Sequence, residues 1–349
     1  MRLWRFLIFF VLLLTSCDAA MAADFNDDFN KPLGKGWCDC QIDNNRLPVT
    51  FTTDPENKSN SVAHITVDAG NLGGHRCKPA CGVTLFSLGP EIGSEATLGP
   101  MLVSPTGLKW SPQTPKPDPY CTPTIVKKAK GIEEGLCIQR QELRVDESFA
   151  QDSTKPQLYS LRFRMPAKVG NTTDSIRWVV AQWKAEPAIT EKGEDASPFL
   201  AQRYDDGILN VTVQDRSCRC LIASASRSNL NYPWNDGKAQ YCQRTDSEPG
   251  KAESCAASLM LEYGKKPVLT SPAGEWTEMS YRVQAGPEND SVVEVYQDGR
   301  FIVRATGHIG YDAPGKSKQK TKFKIGHYRD YIPSTDVMDL DWVRIKQVK

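Results

Sequence analysis

Three short segments alternate apolar residues with long cationic or hydrogen-bonding ones: Arg140-Gln141-Glu142-Leu143-Arg144-Val145, Val179-Val180-Ala181-Gln182-Trp183-Lys184 and Lys322-Phe323-Lys324-Ile325-Gly326-His327-Tyr328. Successive side chains of a β-strand face opposite sides. Read as strands, the first puts Arg140, Glu142 and Arg144 on one face and Leu143 and Val145, with Gln141, on the other. The second puts Gln182 and Lys184 beside Val180, with Val179, Ala181 and Trp183 opposite. The third puts Lys322, Lys324 and Tyr328 on one face and sends Phe323 and Ile325 to the core. If the three strands are neighbours, one sheet face gathers Arg140, Arg144, Lys184, Lys322 and Lys324 with only Glu142 to offset them. Such a face attracts a polyanion whatever the net charge of the whole chain. Arginine suits a two-pronged grip on a carboxylate, and a glutamine amide adds a hydrogen bond to the same group. A tyrosine starts as a good acid and a poor base, and cations beside it favour the phenolate. The plainer reading is a solvated face, because single Lys and Arg residues on strands are mostly surface.

The rest of the sequence supplies elements that could hold such strands side by side. Tyr159, Leu161, Phe163 and Met165 alternate with Ser160, Arg162 and Arg164, as in a half-buried strand. Ile176 to Lys184, Ile208 to Val213, Trp276 to Gln284, Thr321 to Asp330 and Met338 to Lys346 also read as strands. Val292 to Tyr296 and Phe301 to Arg304 flank Asp298-Gly299, a strong hairpin signal. Asp24 to Phe29 reads as a turn-rich lead into a first strand. No long amphipathic helix and no internal repeat stands out. Many short strands between turns imply an all-β fold, an antiparallel two-sheet sandwich or jelly roll. One large domain accommodates the 349 residues, with two Cys-rich insertions, near 70–137 and 214–256, expected to be loops. The proline run from Pro112 to Pro119 rules out a central strand or a long helix there.

The first residues read as an export signal at 1–23. Arg2 and Arg5 precede the continuous apolar run Phe6–Leu14, which is too short to span a bilayer. Leu14-Thr15-Ser16-Cys17 resembles a lipobox and would leave Cys17 lipidated, whereas Ala20-Met21-Ala22 is a cleavage site that would release a soluble protein. The expected location is therefore the cell envelope or periplasm, or the medium, with membrane contact only through a lipid anchor. The other ten cysteines are Cys38, Cys40, Cys77, Cys81, Cys121, Cys137, Cys218, Cys220, Cys242 and Cys255. Their even number fits structural disulfides in an oxidising compartment, with the connectivity open. A zinc site is the rival reading of Cys38-x-Cys40 and Cys218-x-Cys220, but this spacing departs from the usual C-x₂₋₄-C. With 43 Lys+Arg against 42 Asp+Glu, the chain lacks the basic excess of a nucleic-acid binder. No Asp-rich loop suggests calcium. No cofactor or metal is expected, and a monomer is.

The three alternating segments resemble, in order and broad spacing, the three signature motifs of the jelly-roll alginate lyases and of the related glucuronan and heparin lyases. The family's R-[S/T]-E-L-R stands here as Arg140-Gln141-Glu142-Leu143-Arg144. Its Q-[I/V]-H stands as Gln182-Trp183-Lys184, and its Y-F-K-A-G-x-Y as Lys322-Phe323-Lys324-Ile325-Gly326-His327-Tyr328. Asp339-Leu340-Asp341-Trp342-Val343-Arg344-Ile345 is similar to the last strand of that fold. The likeness covers roughly residues 138–346. It implies a concanavalin-like antiparallel β-jelly roll and a polysaccharide lyase acting on a uronic-acid-containing anionic glycan by β-elimination. Arg140 and Gln182 would then neutralise the uronate carboxylate, and Tyr328 would exchange a proton with the sugar. The basic residues Arg144, Lys322 and Lys324 would hold neighbouring anionic units, with Glu142 beside them also binding substrate.

One departure from the motifs is central: Lys184 stands where the alginate lyases carry a histidine. The general base is then Tyr328 in a double role, Lys184 or a histidine. His75 is a candidate because some relatives draw the histidine from an upstream position. His327 adjoins Tyr328, but strand parity sends it to the other face, and His64 and His308 read as ordinary residues. Two rivals of other classes exist. A glycoside hydrolase needs two carboxylates about the bond, and the E-x-D-x-x-E strand of the laminarinase type is absent. A non-catalytic acidic-glycan-binding lipoprotein with a lectin-like sandwich fits the missing histidine. The sequons at Asn57, Asn171 and Asn210 carry no weight behind a bacterial-looking signal.

Overall fold

The computed structural model describes residues 24–31, 33, 36–41, 49–68, 138–146, 149, 155–168, 177–186, 197–205, 207–230, 242–244, 254–311, 320–330 and 334–348. Cys17, His75, Cys77, Cys81, Cys121 and Cys137 lie outside them. The described residues form seventeen strands: β1 (Phe25–Asp27), β2 (Trp37–Gln41), β3 (Thr50–Thr53), β4 (Ser61–Val67), β5 (Ile138–Val145), β6 (Gln157–Arg164), β7 (Trp178–Glu186), β8 (Leu200–Asp205), β9 (Ile208–Asp215), β10 (Cys218–Ser224), β11 (Cys242–Arg244), β12 (Met260–Tyr263), β13 (Thr277–Gln284), β14 (Gly286–Gln297), β15 (Arg300–Ile309), β16 (Lys320–Asp330) and β17 (Asp336–Gln347). They build two antiparallel sheets. One has nine strands in the order β12-β15-β14-β13-β6-β17-β4-β3, with β1 on β17; the other has eight in the order β11-β10-β9-β8-β7-β16-β5-β2. This is the all-β jelly-roll sandwich that the strand pattern implied.

Alternation places the core between the sheets. On β6, Tyr159, Leu161 and Phe163 are buried, while Ser160, Arg162 and Arg164 face out. Trp183 of β7 packs on Tyr281 at 4.7 Å, on Phe323 at 4.9 Å and edge-on to Tyr159 at 5.6 Å, so aromatic rings from both sheets meet at the centre. Burying each such side chain contributes about 1.5–3 kcal/mol. The expected hairpin joins β14 and β15: Asp298 and Gly299 take φ of 51° and 72°, the paired left-handed conformation of a type I′ turn.

Polar bridges lock one sheet onto the other. Arg329 Nη1 of β16 donates to Asp336 Oδ2 of β17 at 2.5 Å, with the arginine fully buried. His308 Nδ1 of β15 meets Asp215 Oδ1 of β9 at 2.9 Å. Burial works against charge on Asp215, but His308 and the Ser258 N–H and hydroxyl outweigh it and hold the carboxyl down at about 2. On the outer face of the nine-stranded sheet, Arg164 Nη2 donates to Asp339 Oδ2 at 2.7 Å, and His64 Nδ1 lies 2.8 Å from Asp339 Oδ1. His64 and His308 are thus structural.

Two features differ from the sequence reading. The Cys-rich stretch from 214 onward is not all loop. Cys218–Ser224 is strand β10, with Cys218, Cys220, Ile222 and Ala223 in the core. The cysteines serve there as small apolar residues, which hid the alternation. They are also cross-linked, Cys218 to Cys255 and Cys220 to Cys242. Those bonds consume the Cys218, Cys220 and Cys242 sulfurs that lie close enough together to hold a metal ion. Cys38 is disulfide-bonded too, while Cys40 is described only through its backbone in β2. The second difference is on β7. Its ladder with β8 shifts register between Val179 and Ala181, and Val180 joins the core cluster with Ala181. Val179, expected in the core, instead stands opposite Tyr328 and Arg203. A bulge puts two consecutive side chains on one side, which strict parity cannot foresee.

Candidate active site

The eight-stranded sheet brings the three alternating segments together as immediate neighbours: β16 lies between β5 and β7. Tyr328 stands directly opposite Arg140, Gly326 opposite Glu142, and Lys324 opposite both Arg144 and Gln182. Lys322 stands opposite Lys184. Directly opposed residues share a face, and Phe323, Ile325, Leu143 and Trp183 occupy the other, core face. Gly326 is required at its position. Its φ is 140°, and an added Cβ would lie 2.2 Å from the Gln141 carbonyl oxygen of β5. No side chain can stand there without parting β16 from β5, and with them Tyr328 from Arg140.

Although they point away from the core, the anchoring residues are nearly solvent-free: Arg140 is 4% exposed, Arg144 5%, Gln182 7% and Glu142 0%. Glu142 ties two of them together. Arg140 Nε donates to Glu142 Oε2 at 2.7 Å, and Gln182 Nε2 donates to Glu142 Oε1. A buried carboxylate with a cation on one oxygen and an amide on the other is well compensated. It also fixes where both partners point. Lys324 sits amid Glu142, Arg140, Lys184 and Arg144. Burial pulls its ammonium down to about 8, opposed by Glu142 and reinforced by the three like charges. The expected cationic cluster is therefore a spatial one.

Tyr328 lies between two guanidiniums. The Arg140 Cζ is 5.4 Å from its ring centroid, and the Arg177 Cζ is 5.5 Å. His327, next in the chain, faces inward as parity required. It accepts the Trp178 Nε1–H at its Nδ1 over 3.1 Å, and its Nε2 lies 2.9 Å from the Ile65 carbonyl oxygen. That pair of contacts defines the neutral tautomer with the proton on Nε2. Burial, then the charge of Arg329, holds its imidazole down at about 3. His327 is a scaffold residue.

Sequence reasoning missed Arg177, Arg203, Asp205 and Arg219. Arg203 Nε donates to Asp205 Oδ2 at 2.5 Å, a pairing of alternate residues on β8 that parity could have shown. Arg177 precedes the second motif by five residues, and only the fold carries it to Tyr328. Arg219 is flanked by Cys218 and Cys220, in the stretch read as loop. Burial, then the like charge of Arg203, draws its guanidinium down to about 10, with Tyr311, Arg177 and Asp205 also acting on it.

A family model described as polysaccharide lyase matches residues 109–343, which span all three segments. The chain belongs to the polysaccharide lyase family. No curated protein matches this lyase. Among solved structures it is similar to the endo-β-1,4-glucuronan lyase from the fungus Trichoderma reesei, with 11% identity over 89% of this chain and 94% of that chain and a TM-score of 0.44. It is also similar to a product complex of the family 7 alginate lyase A1-II′, with 11% identity over 90% and 96% and a TM-score of 0.42. The cellulose induced protein Cip1 is similar at 10% identity over 93% and 97%, with a TM-score of 0.42. The strand order and the family match carry the fold and the family; likenesses this distant add no residue role.

Proposed function

We propose that this lyase cleaves a uronic-acid-containing anionic polysaccharide by β-elimination, with Arg140 and Gln182 neutralising the carboxylate and Tyr328 moving the proton. The observation that carries the proposal is the register that sets Tyr328 opposite Arg140, while Glu142 bonds both Arg140 and Gln182.

The chemistry follows from what a uronate resists. The C5–H beside an ionised carboxylate is barely acidic, because its loss piles a second negative charge onto the same group. A guanidinium and an amide held against the carboxylate stabilise the enolate-like anion as it forms. Donors fixed in advance in a nearly solvent-free site act strongly and need no reorganisation. The Tyr328 oxygen, as phenolate, takes the C5 proton. The C4–O bond breaks, its electron pair leaves with the oxygen, and a C4–C5 double bond forms. The same tyrosine, now protonated, returns the proton to the departing O4. The guanidiniums of Arg140 and Arg177 about the ring favour the negative phenolate needed at the start. Lys184, opposite Lys322 and not Tyr328, fits better as a binding cation than as the base. Arg144, Lys322 and Lys324 then hold adjoining anionic units.

The cross-linked Cys218–Cys255 and Cys220–Cys242 pairs support an enzyme that works outside the reducing cytoplasm, as the leading segment suggests. The deciding experiment incubates the enzyme with alginate, glucuronan, heparin and other acidic polysaccharides and follows the ultraviolet absorbance of the unsaturated uronate. Rising absorbance on at least one polymer is expected. Binding with no unsaturated product on any of them would leave a glycan-binding protein and refute the assignment.

A further inference from the structure

The closing strand carries outward residues that the cleavage centre does not use. In the ladder between β17 and β6 the register shifts between Leu340 and Trp342. Leu340 and Val343 stay in the core, so the bulge turns two consecutive side chains, Asp341 and Trp342, to the outer face of the nine-stranded sheet. Asp341 is taken up there by Arg162 and Asn60. Trp342 stands half-buried opposite Arg162, outside the core cluster. The Arg344 guanidinium lies over its ring, with Cζ 4.4 Å from the centroid. Arg344 itself is exposed and forms no ion pair among the described residues.

Arg344 also belongs to a row that crosses this outer face at right angles to the strands. Register sets Phe301 of β15 opposite Tyr296 of β14, Tyr296 opposite Ser280 of β13, Ser280 opposite Ser160 of β6, and Ser160 opposite Arg344. With strands about 4.8 Å apart, the row is roughly 19 Å long. Its middle is low, because serines stand there, and their hydroxyls bond each other at 2.8 Å. Two hydroxyls sharing one hydrogen bond keep a proton and several lone pairs for another partner. The ends are aromatic: Tyr296 packs on Phe301 at 5.5 Å on one side, and Trp342 adjoins Arg344 on the other. Past Phe301 the row opens on a cavity of about 430 Å³ lined by that ring, Tyr263 and the exposed Lys265 and Lys266.

A floor of hydroxyls between flat rings, with a guanidinium at one end and ammoniums at the other, matches a sugar chain that carries acids. Rings offer a rigid apolar surface to the C–H faces of sugars, hydroxyls meet hydroxyls, and a guanidinium takes a carboxylate with two parallel bonds. The proposed catalytic residues project from the other sheet, on the far side of a core about 10 Å thick. We propose that this row is a second, non-catalytic glycan-binding surface, holding another stretch of the acidic polysaccharide with a sugar over Ser160 and Ser280 beside Trp342 and its carboxylate on Arg344. The inference rests on the reading of the substrate as a uronate polymer. A polymer tethered at one face is concentrated at the other, so the surface serves long chains and not short ones.

Arg344→Glu tests it, because the side chain is exposed and its loss breaks no ion pair. Lys168→Glu, at an exposed lysine beyond the end of β6, controls for the change in net charge. Rates of the three proteins are measured at low salt on the acidic polymer that the wild type cleaves fastest and on tetrasaccharides cut from it. On the polymer, Arg344→Glu should raise KM about tenfold with kcat unchanged, the effect of one charge-assisted contact. On the tetrasaccharides all three proteins should cut alike, and Lys168→Glu should follow the wild type throughout. A loss shared by the tetrasaccharides, no loss on the polymer, or an equal loss in Lys168→Glu overturns the surface. If the wild type cleaves none of alginate, glucuronan and heparin, the cleavage reading fails by itself. Calorimetric titration with the same three polymers then judges the surface: an affinity about tenfold weaker in Arg344→Glu alone supports it, and equal affinities of the three proteins refute it.

Discussion

Arg140 Nε donates to Glu142 Oε2 at 2.7 Å in a pair almost fully withdrawn from solvent, so the arginine proposed to grip the substrate is itself gripped from behind. Glu142 accepts Gln182 on its other oxygen. Glu142→Gln leaves one acceptor oxygen for two donors. The orphaned donor costs about 1–3 kcal/mol, and either Arg140 or Gln182 loses its aim. We expect kcat/KM to fall at least tenfold, together with a lower melting temperature. Glu142→Ala, which takes the carboxylate away from a buried guanidinium, should cost about 3–5 kcal/mol in stability. Wild-type turnover in Glu142→Gln would show that the clamp has no part in catalysis.

Tyr328→Phe removes one oxygen and keeps the ring between Arg140 and Arg177. Losing a general acid–base group typically costs about 10²–10⁴-fold in rate. The variant should therefore lose turnover by that order while binding oligosaccharides with nearly unchanged affinity, as read by calorimetry. A variant that still forms unsaturated product at close to the wild-type rate would reassign the base, with Lys184 the next residue to substitute.

Lys324 gives the reaction an expected alkaline limit. Its ammonium is drawn down to about 8 by burial, so the free enzyme loses this cation as pH rises through that value. Protonated Lys324 attracts the anionic substrate and neutral Lys324 does not, so kcat/KM should fall on the alkaline side near pH 8. The profile of kcat/KM reports groups of the free enzyme, which makes it the one to measure. In Lys324→Arg the charge persists to much higher pH, and the limb should move up or vanish. A limb left in place by that substitution belongs to another group.

The sequence carried the site's layout further than its surroundings. Leu143, Trp183, Phe323 and Ile325 are unmistakably apolar and alternate with charge, so parity alone decided which face each of Arg140, Gln182, Lys324 and Tyr328 would take. Strand adjacency entered only as a condition, since nothing local says that β16 separates β5 from β7. What stayed hidden depends on backbone irregularity or on register. The bulge on β7 moved Val180 inward and left Val179 opposite Tyr328, although two adjacent valines look alike in any pattern. Strand β10 was obscured because its inward residues include cysteines, and a Cys-rich stretch reads as a stapled loop. Arg177 and Arg219 are ordinary arginines in sequence, and their relation to the site exists only once the eight-stranded sheet is assembled. Cys17, read as a lipidation site, and His75, read as a candidate base, lie outside the described residues.

His327 makes the fold itself sensitive to acid. Its imidazole is held at about 3 by burial and by Arg329, whereas a histidine in the unfolded chain titrates near 6.5. Above that value both states are neutral and the full stability is present. As pH falls below it, the unfolded chain takes up a proton that the folded one refuses, so stability declines by about 1.4 kcal/mol per pH unit until the folded value is reached. Buried carboxylates such as Asp215, held down at about 2, add acid sensitivity of their own at lower pH. The informative quantity is therefore a difference between variants. A glutamine can mimic both contacts, accepting the Trp178 Nε1–H and donating to the Ile65 carbonyl, with no proton to gain. His327→Gln should match the wild type within about 1 kcal/mol at pH 7, allowing for imperfect shape. It should then outlast the wild type in urea melts as the pH is lowered from 6 to 4. Identical pH slopes for the two proteins would mean that His327 is not held neutral between Trp178 and Ile65.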